Sequence, residues 1–452
     1  MKVHFIAIGG SAMHNLAIAL HKKGYTVSGS DDQVFDPSRS RLAHYGLLPS
    51  QMGWNTDRIH QELDAVIVGM HARADNPELH RARALNLPVY SYPEFLYNQS
   101  KDKKRIVIGG SHGKTTITSI ILHVLNYLQI DTDYMVGAQL RGFEVMVRLS
   151  ENAPYMVMEG DEYLSSPVDP RPKFHLYAPH IAVISGIAWD HINVFKTYED
   201  YLEQFRTFIH CIEEGGSLIY CADDPEVKAL CEAEAPDTIS LIPYGLPAHE
   251  TEDGVTCLID DQTRYPIHLF GHHNLLNINA ARIVCHHLGL NNVQFFRALA
   301  HFRGASKRLE VLYTGNGTRV IRDFAHAPSK VKATIEAVKQ QFPAKKLVAC
   351  LELFTFSSLN ADFLPHYNST MDPADIAFVY FNPHALKMKK LPPITREDVK
   401  AAFAKQDMKV YTDKDSLEQA LQQETDNNSC LLLMSSGDFG GLNIQDLIQS
   451  LQ

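Results

Sequence analysis

Short runs of β-branched and aliphatic residues recur along the chain, each followed by a stretch whose apolar positions repeat at helical spacing, and this alternation predicts successive βα units. In the first hundred residues the strands are Val3–Ile8, Thr26–Ser30, Ala65–Gly69 and Pro88–Tyr90, with a helix from Ser11 to Lys23. Such a pattern builds a parallel sheet covered by helices. The polar run Gln99–Lys104 reads as a linker. A second α/β unit begins at Arg105, continues through Ala182–Ser185 and Ser217–Tyr220, and reaches a helix around Asn277–Leu288. Leu299–Arg308 marks the next boundary, and a third unit follows with strands near Thr318–Asp323, Lys346–Leu351, Ile376–Tyr380 and Cys430–Met434. No repeat or low-complexity stretch interrupts the series.

Length agrees with that division, because 452 residues exceed what one core supports and suit about three domains. Charged residues at 21% and hydrophobic ones at 45% are globular values. A net charge of −10 offers no broad electrostatic footprint for nucleic acid or an anionic membrane, so an anionic ligand must be held by local groups. The seven cysteines form no CxxC pair and are odd in number, which reads as reduced thiols. The opening MKVHFIAIGG ends in a glycine turn and a helix instead of a cleavage site, and no uncharged apolar segment reaches the ~18 residues of a membrane span. The expectation is a cytoplasmic protein that acts on small molecules.

The most specific chemistry lies in Arg105–Thr116, RIVIGGSHGKTT. A strand, a glycine turn, then Lys114 and two threonines opening an apolar helix make a phosphate cradle. The glycines let backbone N–H groups converge on phosphate oxygens, the helix start adds partial positive charge and Lys114 adds a full one. Gly109 stands only three residues before Gly113, with isoleucine at 108, so this is a shortened form of the nucleotide loop. The competing reading is a glycine-rich strand-to-helix turn that holds no ligand.

Ala7-Ile8-Gly9-Gly10-Ser11-Ala12 sits where a dinucleotide fingerprint would, with Asp31 after the second strand, but alanine replaces its first and last glycines. An NAD site, a pyrophosphate site for a nucleotide sugar and a plain packing turn all remain open on this evidence. Tyr155–Glu162 is an apolar strand that delivers Glu159, Asp161 and Glu162 at its end. Glu159 would suit Mg²⁺ beside the phosphate loop, and Asp190-His191 follows the next strand. His191 taken alone reads first as a surface or helix-capping residue, and the doublets His272-His273 and His286-His287 lack a convincing set of partner ligands for zinc.

These pieces, in this order, resemble the Mur ligase family, the ATP-dependent amide-forming enzymes of peptidoglycan synthesis. Gly110-Ser111-His112-Gly113-Lys114-Thr115-Thr116 is similar to that family's ATP loop. Gly271-His272-His273-Asn274 with Asn277 and Ala280-Ala281, Lys307-Arg308, and Asp323-Phe324-Ala325-His326-Ala327-Pro328 resemble its later motifs. The resemblance implies an α/β fold of three domains: a Rossmann-like UDP-sugar domain at 1–102, a central P-loop ATPase domain at 103–304 and a C-terminal Rossmann-like domain at 305–452 that binds the incoming peptide. It further implies ATP and Mg²⁺ as cofactors, with metal at Thr115, Glu159 and His191, catalytic roles for Lys114, His191 and His326, and ATP contacts from Asn274, Arg308 and Asp323 besides the loop.

Within the family, Ile8–Met13, Ser28-Gly29-Ser30-Asp31 and Asp75-Asn76-Pro77-Glu78 resemble the branch that uses UDP-N-acetylmuramate. The UDP-sugar residues implied are Gly9, Gly10, Ser11, Ala12, Met13, Ser30, Asp31 and His71. Two acceptors compete, L-alanine and the recycled tripeptide L-alanyl-γ-D-glutamyl-meso-diaminopimelate. The segment Asp161–Phe174 resembles the tripeptide-adding branch and implies Arg171 and Lys173 as peptide contacts. Three departures stand out: Gly186-Ile187-Ala188-Trp189 where the family has asparagine and an acidic residue, Ala327 where the branch has a second histidine, and ELFTFSSLN at 352–360 where arginine is usual. The rival classes are an NAD-dependent oxidoreductase and an inactive UDP-sugar sensor.

Overall fold

The computed structural model describes residues 1–137, 139–140, 142–166, 169–189, 194–252, 254–304 and 307–451. The chain packs into two compact units, one of residues 1–187, 197–245 and 280–298, the other of 188–196, 246–279 and 299–452.

Among the described residues the first unit holds two large sheets and one two-stranded sheet. Four parallel strands at its N-terminal end run in the order Thr26–Ser30, Lys2–Ile6, Ala65–Val68, Val89–Ser91. The first strand stops at Ile6, two residues before the predicted end, because Ala7 turns to φ 68° and the backbone enters the nucleotide-like turn. The helix Ser11–Lys22 follows, its Met13–Leu20 stretch buried. The expected linker is short: a helix with a Ser91/Glu94 capping box runs to Ser100, and the next strand starts at Lys104. Arg105 fastens this junction, its buried guanidinium donating to the carbonyls of Ser100, Lys101 and Tyr177 and pairing with Glu213 at 2.7 Å.

The larger sheet runs Ser240–Tyr244, Ser217–Cys221, Ile181–Ile184, Lys104–Gly109, Tyr155–Gly160, Thr132–Met135, Val147–Arg148, parallel except for the last strand. Its central strands are buried on both faces and read as continuous apolar runs, as parallel sheets do. Phe174 stacks on Phe208 at 4.5 Å beneath the strand ends. A Cβ at Gly109 would lie 3.1 Å from Phe208, and one at Gly160 would lie 3.1 Å from Phe174, so glycine lets the backbone approach this aromatic floor.

In the second unit a three-stranded antiparallel sheet, His249–Glu252, Val255–Asp260 and Thr263–Ile267, was not foreseen from sequence. Its strands mix exposed and half-buried residues with little alternation and lack long apolar runs. The C-terminal sheet runs Glu310–Gly315, Thr318–Asp323, Ser429–Met434, Lys346–Leu353, Ile376–Phe381, Lys409–Tyr411. Only the first strand is antiparallel. Separate apolar cores cover its two faces, one around Ile335, Tyr367 and Phe403, the other around Phe378, Leu417 and Leu447. Three α/β domains in this arrangement match the predicted class.

Candidate active site

The phosphate loop occupies the turn between the strand Lys104–Gly109 and the helix Lys114–Tyr127. Gly110 at φ 128° and Gly113 at φ 81° adopt backbone conformations that other residues enter only with strain. The neighbouring strand end holds the loop from below: Ser111 N donates to Gly186 O at 2.9 Å, and Ser185 Oγ donates to the carbonyls of Gly109 and His112. A Cβ at Gly186 would fall on the His112 ring, so the glycine that departs from the family pattern is the one this histidine requires.

Lys114 Nζ donates to Gly110 O at 2.6 Å and to Glu162 Oε2 at 2.7 Å. The lysine side chain is 14% exposed and that of Glu162 is 0% exposed. Burial acts to lower the ammonium's pKa, but Glu162, Asp161 and Glu159 outweigh it and hold the pKa above its ordinary value. Lys173 answers Asp161 at 2.9 Å and lies over the Tyr163 ring. Burial pushes Asp161 up, yet Lys173 and Lys114 outweigh that push and keep its carboxyl below the usual range. Tyr201 also donates to Glu162 at 3.3 Å, closing a network of two cations and three carboxylates beside the loop.

Glu159 stands at the end of the adjacent strand, paired in register with Ile108, and is buried. A Cβ at Gly137 would lie 2.9 Å from its Oε2, so glycine there keeps the carboxylate's flank open. Thr115 lies in the first turn of the helix. Hydroxyl and carboxylate oxygens are the donors Mg²⁺ prefers, with phosphate and water completing its shell, so these two residues fit that ion. Asp190 and His191, the other expected metal positions, lie outside the described residues. Among the described residues no group of three or more His, Cys, Asp or Glu is arranged to hold a metal.

In the N-terminal sheet, Gly9 N donates to Asp31 Oδ2 at 2.7 Å, while Ala7 N and Ile8 N donate to Ser30 O. The turn is thereby closed by Asp31, whose pKa is raised by burial. Gly10 precedes the helix, Ser11 and Ala12 are exposed at its start, and Met13 is buried. His71 is exposed just beyond the third strand. Below the turn, the fully buried Glu78 accepts from Ser30 Oγ at 2.7 Å, Asn55 N at 2.8 Å and His4 at 3.3 Å.

Arg171 and Lys173, expected to meet peptide, are engaged by the protein itself. The strands Leu164–Ser166 and Asp169–Pro172 form a hairpin whose Arg171 pairs with Asp169 at 2.8 Å and with Glu94 at 3.1 Å. In the second unit, Asn274 Nδ2 donates to Phe270 O, Arg308 lies over the Phe324 ring, and His326 Nδ1 is 2.8 Å from Phe324 O. Asp323 accepts from Leu309 N at 2.6 Å and Ala325 N at 2.7 Å, so its carboxylate shapes both the Lys307-Arg308 turn and the His326 turn. Sequence reasoning did not anticipate the Lys114–Glu162 pair, the Ser185-Gly186 support or the buried contacts of Glu78. The only signal for the first was a carboxylate three residues beyond Glu159.

A shortened phosphate loop on one parallel sheet, a nucleotide-like turn on a second and a third open sheet define a modular nucleotide-dependent enzyme. Family models agree along the chain: the Mur ligase family catalytic domain matches residues 2–104, the Mur ligase middle domain 108–285 and the Mur ligase glutamate ligase domain 307–437. The chain belongs to the Mur ligase family, whose members are ATP-dependent ligases that form amide bonds. A UDP-N-acetylmuramate–L-alanine ligase of Desulforamulus reducens is 34% identical over 76% of this chain and 75% of its own length. The namesake enzyme of Lactiplantibacillus plantarum is 28% identical over 96% of this chain and 95% of its own. Among solved structures, a murein peptide ligase from Psychrobacter arcticus superposes with a TM-score of 0.66 at 22% identity, covering 100% of this chain and 98% of that one. The UDP-N-acetylmuramate-alanine ligase of Thermotoga maritima does so with a TM-score of 0.71 at 20% identity, with the same coverage.

Proposed function

We propose that the protein joins UDP-N-acetylmuramate to the free amine of the tripeptide L-alanyl-γ-D-glutamyl-meso-diaminopimelate, consuming ATP, in peptidoglycan recycling in the cytoplasm. The lactyl carboxylate attacks the γ-phosphorus, a C–O–P linkage forms as the bond to ADP breaks, and an acyl phosphate results. The amine then attacks the acyl carbon, phosphate leaves and the nitrogen gives up a proton. Such chemistry asks the protein mainly for positioning and charge stabilisation. Lys114 supplies the charge: an arriving phosphate chain competes with Glu162 for its ammonium, while the loop N–H groups meet the oxygens. Mg²⁺ held by Thr115, Glu159 and His191 would neutralise further phosphate charge. Asn274 and Arg308 would hold the nucleotide, and His326 the migrating phosphoryl group.

The observation that carries the choice of acceptor is the rim of the C-terminal sheet. Phe356 is 45% exposed and Met388 is 72% exposed, and Lys389 lies 4.9 Å over the Phe354 ring. Lys387 and Lys389 flank Met388, and Lys390 follows. Apolar surface with several cations suits a peptide bearing multiple carboxylates better than it suits a methyl side chain. The names of the sequence relatives favour the second reading, an L-alanine ligase.

The test supplies ATP, Mg²⁺ and UDP-N-acetylmuramate, offers L-alanine and tripeptide separately, and follows ADP and product mass. The tripeptide is expected to exceed L-alanine in kcat/KM by at least about tenfold, or ~1.4 kcal/mol. Equal or better use of L-alanine leaves the L-alanine ligase. No ADP with either acceptor leaves the sensor.

A further inference from the structure

One buried carboxylate in the C-terminal sheet takes no part in the chemistry above. Glu352, 1% exposed, is the last residue but one of the strand Lys346–Leu353, and its Oε2 accepts from Ser435 Oγ and from Phe439 N at 2.8 Å. Both donors come from the loop that follows the neighbouring strand Ser429–Met434.

That loop is built around the carboxylate. Ser435 Oγ accepts from Gly437 N at 2.6 Å, and Ser435 N donates to Asp323 O at 3.0 Å, so the loop's first residue is tied to both flanking strands. A Cβ at Gly437 would lie 2.8 Å from Glu352 Oε2 and 2.9 Å from Phe354. Phe439 sits at φ 54°, an unfavourable backbone for a residue with a side chain, and it is the residue whose N–H Glu352 receives. Gly440 at φ 67° and Gly441 at φ 83° complete the wrap. A buried carboxylate carries a desolvation cost, and burial does push the Glu352 carboxyl up, with Asp438 adding to the push. An apolar residue would fill the strand end at lower cost but would leave the loop's donors without an acceptor.

The position gives this shape a purpose. From Lys346–Leu353 the chain moves outward to Ile376–Phe381 and Lys409–Tyr411, then returns to insert Ser429–Met434 on the other side. The ends of the strands carrying Glu352 and Ser435 therefore flank the switch point of the sheet, where open α/β sheets bind ligands. Under the ligase reading, on which this inference rests, the phosphate loop and the UDP-sugar turn occupy the other two sheets, and the amine substrate falls to this one.

We propose that Glu352 is a positioning residue for the amine acceptor, holding the 435–441 loop in the conformation that seats it. Glu352→Ala and, to a lesser degree, Glu352→Gln are expected to raise KM for the acceptor at least tenfold while KM for ATP and for UDP-N-acetylmuramate moves less than twofold. Ser435→Ala removes one donor and leaves the carboxylate in place, so it should fold even where Glu352→Ala does not, and is expected to raise acceptor KM about threefold. A structural role alone would lower the melting temperature and reduce active enzyme without separating the three KM values.

Unchanged acceptor KM in folded Glu352→Gln and Ser435→Ala overturns the proposal, as does an equal rise in all three constants. Trapping with hydroxylamine in place of the acceptor checks the underlying reading. Wild-type protein that forms no hydroxamate from UDP-N-acetylmuramate and ATP overturns the ligase reading and this proposal with it, whereas hydroxamate formation with unaltered acceptor KM in the variants overturns this proposal alone.

Discussion

Lys173→Met separates a charge that supports the phosphate-loop network from a charge that waits for substrate. The Lys173 side chain is 12% exposed, that of Asp161 is 14% exposed, and they meet at 2.9 Å. Removing one partner of a buried pair costs about 3–5 kcal/mol, and because Lys114 still faces Asp161 the lower end applies, about 3 kcal/mol at pH 7. A ceiling follows from titration: with an ordinary value of 3.8, protonating an aspartate costs about 4.4 kcal/mol at pH 7 but only about 1.6 kcal/mol at pH 5. Asp161 in the wild type is held low, so its contribution is present above 3.8 and lost as pH falls through the folded value. In the variant the carboxyl is buried without Lys173, its folded value rises, and the deficit grows with pH. Calorimetry should show the transition of the first unit falling by about 6–12 °C at pH 7, from ~2–4 °C per kcal/mol, and by roughly half that at pH 5. Adding Asp161→Asn should recover most of the loss. Equal deficits at both pH values, or stability unchanged with only acceptor KM raised, would refute the argument and return Lys173 to the peptide.

Gly186→Ala places a methyl group on the His112 ring and should reduce kcat/KM for ATP at least about thirtyfold, ~2 kcal/mol, with UDP-sugar affinity by calorimetry within twofold; wild-type ATP kinetics in this variant would show that the loop does not depend on that contact. Glu78 is pushed up by burial, but His4, Ser30 and Asn55 N outweigh this and hold it below 4.5, so its stabilisation is present above 4.5 and is lost as pH falls through the lower folded value. Glu78→Gln should therefore lose about 1.5–3 kcal/mol at pH 7 and show a flatter decline of stability between pH 5 and pH 3 than the wild type, read by denaturant titration of the N-terminal sheet.

The parts legible in sequence were those whose residues serve themselves. Thr26–Ser30 and Thr318–Asp323 are strands at the predicted residues, the second around the buried β-branched pair Val320-Ile321 and the first as a short extended run whose last two residues alone are buried. The glycine turn and the helix it opens were legible because the glycines, Lys114 and the helical run are contiguous. What escaped depends on partners far apart in the chain. Glu162 reaches Lys114 across 48 positions and Glu352 reaches Ser435 across 83, and in sequence each is one more acidic residue at a strand end. The sheet of His249–Ile267 escaped for a different reason: its half-exposed strands carry mixed residues whose alternation is weak.

A common logic connects these hidden contacts. The proposed substrates are anions, so a carboxylate left bare at a strand end would repel them. Here the carboxylates at such positions are turned toward the protein: Asp31 takes Gly9 N, Asp323 takes Leu309 N and Ala325 N, Glu352 takes Phe439 N, and Glu162 takes Lys114. Each interaction neutralises part of the negative charge and bends the segment that must approach a ligand. Asp31 and Asp323 stand beside glycine or turn motifs, and their hydrogen bonds help to shape those motifs. Glu159 also acts on Lys114, lies level with the loop that precedes the helix Lys114–Tyr127, and has Gly137 beside its Oε2, where a side chain would crowd a cation. Glu159→Gln should therefore alter magnesium dependence, whereas loss of Glu352 should alter the acceptor constant, and that contrast follows from the loop each carboxylate stands beside.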